Sequence, residues 1–492
     1  VSKRLTLRCP SNGVQTGQSS TGKVQMDRCS EKPQRVPPAN WASCFLAGLS
    51  AVWLLLSAGE ISAQGPGADV SGRRYPGFPI DDGRLLQAGL HKIASSRLTL
   101  YTDLPVTPEI DELGRVFDAA YPQWCAFFAI APDSRPWKMT GFLMKDPRPF
   151  RELGVLPPWL PPFTNGFSVG NVLWIYEQPS AYYRRHLLIH EGTHGFLRAH
   201  FGDWIPPWYN EGIAELLGTH FWDGRTLQLG VVPKSRDEVP MWGRIRIVRD
   251  AVAQKRPLSL TDVLNFGPTA HRDLEPYGWC WAATALFAHD PRFQPAFKKL
   301  PPFIQRGNLQ NFNENFLRLL GPTWKTAEYQ WLIVLADLDY GYDFERTAAD
   351  FTPGSPVLTG GSAVRVEAGK GWQNAGLQLE VGKRYQLTAT GRFIVAQDGG
   401  PWECEPQGVT IRYVRGHPLG TLLAAVVPVG DSPPRPGAEL NTRGSFFQPI
   451  AVGRGCVLTA ERTGTLFLRI NDSAAELSDN SGDILVKVVP LP

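Results

Sequence analysis

Residues 190 to 215 open as His190-Glu191-Gly192-Thr193-His194 and close as Trp208-Tyr209-Asn210-Glu211-Gly212-Ile213-Ala214-Glu215. A turn signal containing Gly202, Asp203, Pro206 and Pro207 lies between them. The stretch therefore reads as two helices, Ala181 to Phe201 and Pro207 to Thr219, joined by a short loop. Residues four apart on a helix share a face, so the imidazoles of His190 and His194 can point at one ion while Glu191 projects beside it. Zinc suits such a pair, because it takes imidazole nitrogen and carboxylate oxygen tetrahedrally, and a catalytic site uses three protein ligands and keeps one position open. Glu211, brought in by the second helix after a spacer of 16 residues from Gly195 to Asn210, is the best third ligand. Glu215 lies one turn further on the same face, in reach of the free ring N–H of a ligand histidine, and Asn210 joins it as a residue that holds ligands in place.

A bare His-Glu-x-x-His arises by chance often enough that its surroundings matter. Five of the nine histidines, His186, His190, His194, His200 and His220, crowd into 35 residues, which strengthens the metal reading. His186 is expected to act as an outer partner or a solvated residue, and His200 carries no expected role. Gly192 in mid-helix costs about 1 kcal/mol against alanine, which a close approach by substrate or backbone explains, or else indifference at that position.

This pattern resembles the gluzincin metallopeptidases, in which the HExxH helix is followed by a helix bearing a glutamate ligand in an Asn-Glu context. Thermolysin-type members carry a carboxylate four residues after that glutamate, the role the resemblance gives to Glu215. It implies that Glu191 is the general base that takes a proton from a zinc-activated water and passes it to the leaving amine. The strand Asn171-Val-Leu-Trp-Ile-Tyr is expected to be the sheet edge on which an extended peptide lies. Tyr277, in Glu-Pro-Tyr-Gly-Trp, and His220 are the candidates for donating to the oxyanion.

At 492 residues, with 43% hydrophobic and 20% charged residues, the chain reads as two or three folded domains. Its net charge of +4 resides in residues 1–63, which hold seven basic residues against three acidic ones, so the remainder is neutral. Without a basic stripe interleaved with aromatics, nucleic-acid binding has no support. A basic n-region, the uncharged run Ala42 to Ala58 and Ala63 before Gln64 read as a secretory signal peptide, with secreted or periplasmic localisation and no membrane span in the mature chain. Cys125, Cys280, Cys404 and Cys456 then remain. In an oxidising compartment the local pairing Cys125–Cys280 and Cys404–Cys456 is expected, with three connectivities and free thiols left open.

Beyond Asp343 the helical texture gives way. Short runs such as Arg384 to Thr390, Val409 to Tyr413, Thr421 to Val427, Thr465 to Ile470 and Ile484 to Val489 read as a β-sandwich. Two of these strands flank the oxygen-rich loop holding Asn471-Asp472 and Ser478-Asp479-Asn480-Ser481-Gly482-Asp483, which suits calcium better than zinc. The loop is similar to that of the calcium-dependent galactose-binding lectins of the PA-I type. That likeness implies Asp472, Asp479 and Asn480 as side-chain ligands and the carbonyls of Glu476 and Val395 as completing the shell. Asp479 stands where the lectin pattern has asparagine. His417 and Trp402 are candidate sugar contacts, though core or surface roles suit them as well.

The expected architecture is α+β. A zincin-like catalytic domain (64–351) follows the signal peptide (1–63), and a linker (352–362) leads to an all-β jelly-roll or sandwich domain (363–492). The expected function is a secreted zinc endopeptidase acting on protein or peptide and held near galactose-type glycans by its lectin-like domain. The alternative is a carbohydrate-binding adhesin whose zinc site is structural or inactive.

Overall fold

Apolar runs bounded by turn residues build the first sheet. Its strands are β1 (His91–Ala94), β2 (Leu98–Thr102), β3 (Met139–Met144), β4 (Gly166–Val169) and β5 (Val172–Tyr176), ordered β1-β2-β3-β5-β4. The central three run parallel, with β1 and β4 antiparallel at the edges. The structure, a computed structural model, describes residues 80–492 apart from 133–135, 270–272, 307 and 431. The leader of residues 1–63 lies outside the described residues. Among those described, no helix is long and apolar enough to cross a membrane.

The strand expected at the sheet edge, β5, is internal. β4 covers it, turning back through Gly170-Asn171 with Gly170 at φ 54°. A two-residue hairpin needs that left-handed conformation, which glycine adopts without strain. The Asn/Gly-rich sequence around β4 masks a strand of only four residues.

Helices surround this sheet: α1 (Asp82–Gln87), α2 (Pro108–Phe127), α3 (Pro147–Glu152), α4 (Ala181–Phe201) and α5 (Pro207–Gly218). After the hairpin β6 (His220–Trp222) and β7 (Leu227–Leu229) come α6 (Arg244–Ala253), α7 (Leu260–Leu264), α8 (Glu275–His289), α9 (Gln294–Lys298), α10 (Leu309–Leu320) and α11 (Thr323–Asp337). Helix α4 starts at Ser180, whose side chain accepts from the Tyr183 amide, and stops at Gly202 with φ 99°. It is buried on nearly every side. A Cβ on Gly192 would lie 2.6 Å from Phe117 and 2.8 Å from Trp124. The mid-helix glycine therefore admits the aromatic side chains of α2. Gly212 does the same for α5 against α8, where a Cβ would meet Thr284 Oγ1 at 2.0 Å.

The remaining strands are β8 (Ser355–Pro356), β9 (Ser362–Glu367), β10 (Gln373–Leu379), β11 (Arg384–Thr390), β12 (Phe393–Ile394), β13 (Glu403–Cys404), β14 (Gln407–Val414), β15 (His417–Val427), β16 (Ile450–Ala451), β17 (Gly455–Thr459), β18 (Gly464–Ile470) and β19 (Ser481–Leu491). One sheet runs β14-β15-β18-β10-β8 with β16 on β15, the other β13-β12-β19-β11-β17 with β9 on β19. Both contribute to one core, including Leu422, Leu468, Leu387 and Val486. The opposite face of β15 and β18, with Leu423, Ala425, Val427 and Phe467, packs on Tyr329, Leu332, Ile333 and Ala336 of α11. Those four lie on one stripe of the helix, as spacings of three and four residues require. The overall class is thus mixed α and β, in agreement with the α+β expectation.

Neither expected disulfide forms, since Cys280, Cys404 and Cys456 are thiols. Cys125 is buried in α2 and Cys280 in α8, each inside the apolar core. Cys404 lies in β13, and Cys456 in β17 pairs opposite Leu387 of β11. An even number of cysteines does not bring their elements together. Burial, with the Glu211 and Glu215 carboxylates, pushes the Cys280 thiol well above its usual range.

Candidate metal centre

Helices α4 and α5 bring His190, His194 and Glu211 together. The two Nε2 atoms are 3.1 Å apart, and Glu211 Oε2 lies 3.5 Å from each. Of the outward ring nitrogens, His194 Nδ1 has an acceptor, Asn210 Oδ1 at 2.9 Å, while His190 Nδ1 makes no hydrogen bond but lies at ion-pair distance, 3.4 Å, from Glu215 Oε1. An acceptor at His194 Nδ1 and an anion beside His190 Nδ1 favour the proton on Nδ1 and leave the Nε2 lone pairs facing each other. Two facing lone pairs repel unless a proton or cation sits between them. Glu211 Oε2, buried without a hydrogen-bond partner, adds a third electron pair to the same spot. The donor set therefore fits a metal ion.

His186, His190 and Glu215 form a second cluster whose donor atoms lie close enough to hold an ion. Glu215 is already engaged. Arg244 donates to both its oxygens at 2.9 and 2.8 Å, and Trp242 Nε1 to one at 3.3 Å. Burial opposes its charge, but Arg244 and His186 outweigh burial and hold its carboxyl well below the usual range. Glu215 is thus a fixed anion behind His190. Burial, against the pull of Glu215, lowers the pKa of His186. His190 is also buried, yet Glu211, Glu215 and Glu191 raise it to about 9. The His190, His194 and Glu211 cluster is the better cradle because its carboxylate oxygen is uncommitted.

Glu191 points toward the outer strand. Ser168 Oγ donates to its Oε2 at 2.7 Å, and Arg198 Nη1 in turn donates to Ser168 Oγ at 3.2 Å. A Cβ on Gly166 would lie 2.7 Å from Glu191 Oε1, so a bare backbone at Gly166 makes room for this carboxylate. The Tyr277 ring lies 6.1 Å from that of His190, with the Arg244 guanidinium 5.4 Å over its face. Burial and the three neighbouring carboxylates raise its pKa, so its hydroxyl stays a donor. His220 has other partners: its Nδ1 is 2.8 Å from the Gly218 carbonyl, Arg185 donates toward Nε2, and the ring stacks on Tyr182. Burial drives it down to about 3. His200 rests on Phe196. Arg244, Trp242, Ser168 and Gly166 carry no motif, and the sequence reading missed them.

No family model and no curated protein matches the chain. Among solved structures, it is similar at 20% identity to one described as "EclA N-terminal domain; PllA-like lectin", over 26% of this chain and 95% of that one, with a TM-score of 0.19. It is similar at 11% identity to one titled "IMPa metallopeptidase in complex with T-antigen", with a TM-score of 0.16. That match spans 81% of this chain and only 42% of the other. Both TM-scores are too low for either likeness to bear on what this chain does.

In the C-terminal region Asp472, Asp479 and Asn480 share one loop. Asn480 Nδ2 donates to Asp472 Oδ2 at 2.8 Å, and the Gln397 amide donates to Asp479 Oδ2 at 3.3 Å, which brings the segment containing Val395 alongside. Asp479 Oδ1 and Asn480 Oδ1 are buried without hydrogen-bond partners. The Glu476 carboxylate pairs with Arg412, so only its carbonyl remains for a cation. Burial, above all, lifts the Asp472 carboxyl to about 6, against the pull of Asn480 and the Ser473 amide. Trp402 donates to the Asp398 carbonyl, and His417 lies against Arg415 and Asn471 in a separate cavity.

Proposed function

We propose that this chain is a zinc-dependent endopeptidase exported from the cytoplasm. The observation that carries this reading is the convergence of two imidazole nitrogens and one uncommitted carboxylate oxygen beside Glu191. Nitrogen and oxygen donors in this number suit zinc. Bound there, the metal supplies a polarised peptide carbonyl and a water acidic enough to lose its proton near neutral pH. Glu191 holds that proton and delivers it to the leaving nitrogen. Ser168 occupies Oε2, which leaves Oε1 as the atom that carries the proton. Tyr277, kept protonated, donates to the oxyanion. The outer edge of β4, on which no strand pairs among the described residues, offers an extended peptide backbone hydrogen bonds beside Glu191. Digestion of a peptide library, with metal analysis of the same sample, tests the proposal.

The position of Glu191 depends on Gly166. In Gly166→Ala the new methyl must displace the carboxylate, and misplacing a catalytic group by about 1 Å costs on the order of 10²-fold in rate. The variant is expected to lose about that factor in kcat/KM while keeping its metal, since the three atoms nearest the new methyl all belong to Glu191. Full activity would mean that Glu191 works from another position.

The uncommitted oxygens of Asp479 and Asn480, with Asp472, support calcium binding in the C-terminal loop, with glycan hydroxyls as exchangeable ligands. Calcium at about 100 times its Kd is expected to stabilise the protein by about 2.7 kcal/mol, read as a rise in Tm that Asp479→Ala removes. Since Asp472 takes up a proton below about 6, the effect weakens as pH falls through that value. An equal Tm in calcium and in EGTA sinks this part of the proposal. Retention on a galactose matrix in calcium, released by EGTA, tests the glycan.

A further inference from the structure

Where the end of α11 meets the outer face of β15 and β18, there is a cavity of about 310 Å³. Its walls include Arg415, Arg469, Asp337, Trp372, His417 and Phe446. That volume is at the lower end of the roughly 300–1,000 Å³ typical of small-molecule sites, and its lining mixes charged and polar groups with the aromatic rings of Trp372, Phe446 and Phe447. Arg469 is 3% exposed. Its Nη1 donates to Asp337 Oδ2 at 2.7 Å and its Nη2 to the Asp472 carbonyl at 2.5 Å. Arg415 takes the other Asp337 oxygen at 2.8 Å. Two guanidiniums thus share the one carboxylate among the lining residues, leaving an excess positive charge against aromatic walls.

Two further features point to an occupant. Arg469 Nε and Trp372 Nε1 are buried in this wall without an acceptor, and a buried donor left unmade costs on the order of 1–3 kcal/mol. Arg415 has φ 50° and Gly416 φ 80°, the two residues between β14 and β15. Asparagine, aspartate or glycine is the usual first residue of such a turn. A long side chain held there is uncommon and concentrates at functional positions. The turn sets the Arg415 guanidinium, whose side chain is 42% exposed, at the cavity.

We infer that this cavity binds a small organic carboxylate, its anionic end against Arg415 and Arg469 and its ring against Trp372 and Phe446. Bidentate geometry and charge suit arginine to a carboxylate. The site is separate from the metal centre and holds whether or not that centre cleaves peptides. Isothermal titration of the full chain with D-glucuronate, benzoate and neutral D-glucose tests it. Glucuronate, benzoate or both are expected to bind at least tenfold more tightly than glucose, and the pair distinguishes a sugar acid from an aromatic acid. Arg415→Asn, which suits the left-handed turn and leaves Asp337 paired with Arg469, is expected to keep its Tm and lose at least tenfold in affinity. Should that variant melt early, Arg415→Lys against Arg415→Gln decides, with binding kept in the first and lost in the second. Equal binding of glucose and glucuronate, no binding of either acid, or charge-free variants that bind like wild type would overturn the inference.

Discussion

Glu191→Gln is expected to lower kcat/KM for peptide hydrolysis by on the order of 10²–10⁴-fold, the usual contribution of a positioned general base. The substitution keeps the volume of the side chain and an oxygen able to accept from Ser168, so β4 and α4 keep their packing. It removes only the capacity to take a proton. None of His190, His194 and Glu211 is altered, and metal content should stay at about one ion per chain. Measuring metal and activity on the same preparation makes the result decisive. A variant that holds its metal and cleaves as fast as wild type ends the role of Glu191. A wild type that cleaves nothing in a broad peptide library ends the peptidase reading.

How much of this site the sequence carries depends on how local the chemistry is. His190, Glu191 and His194 are fixed relative to one another by one turn of helix, and the spacing alone places them on one face. Glu211 and Glu215 are likewise one turn apart on α5, and only the contact of α5 with α4 had to be supplied, where a Cβ on Gly218 would lie 3.0 Å from His186 Cε1. Arg244 stands 29 residues after Glu215 and Ser168 stands 23 before Glu191. Nothing in their local sequence distinguishes them from other arginines and serines. A buried carboxylate demands a cation, but which of the chain's arginines answers is decided by tertiary packing.

The strand readings follow the same division. Thr421 to Val427 reads as one short strand of the β-sandwich, yet its apolar run is continuous because α11 covers its second face. A strand buried on both sides loses its alternation. Within the segment expected as a linker, Ser355–Pro356 pairs in parallel with Leu377–Gln378. Proline marks it as breakable, and an edge is where a sheet tolerates proline.

His194→Ala is expected to leave close to no bound metal after dialysis and to take hydrolysis to background. The variant has two ligands where a catalytic site needs three, and Asn210 loses the ring it orients. Proton competition supplies an internal check. In metal-free protein the surrounding carboxylates hold His190 protonated up to about 9. That pKa is raised above the unfolded value, so the protonated pair stabilises the metal-free fold fully below about 6.5. The contribution is lost as pH rises through about 9, where an ion can replace the proton. Wild-type metal affinity should therefore rise with pH toward 9, with protons released on binding, whereas His194→Ala should take up little metal at any pH. Retention of a full equivalent by His194→Ala would move the ion to the cluster of His186, His190 and Glu215 and remove Glu211 as a ligand.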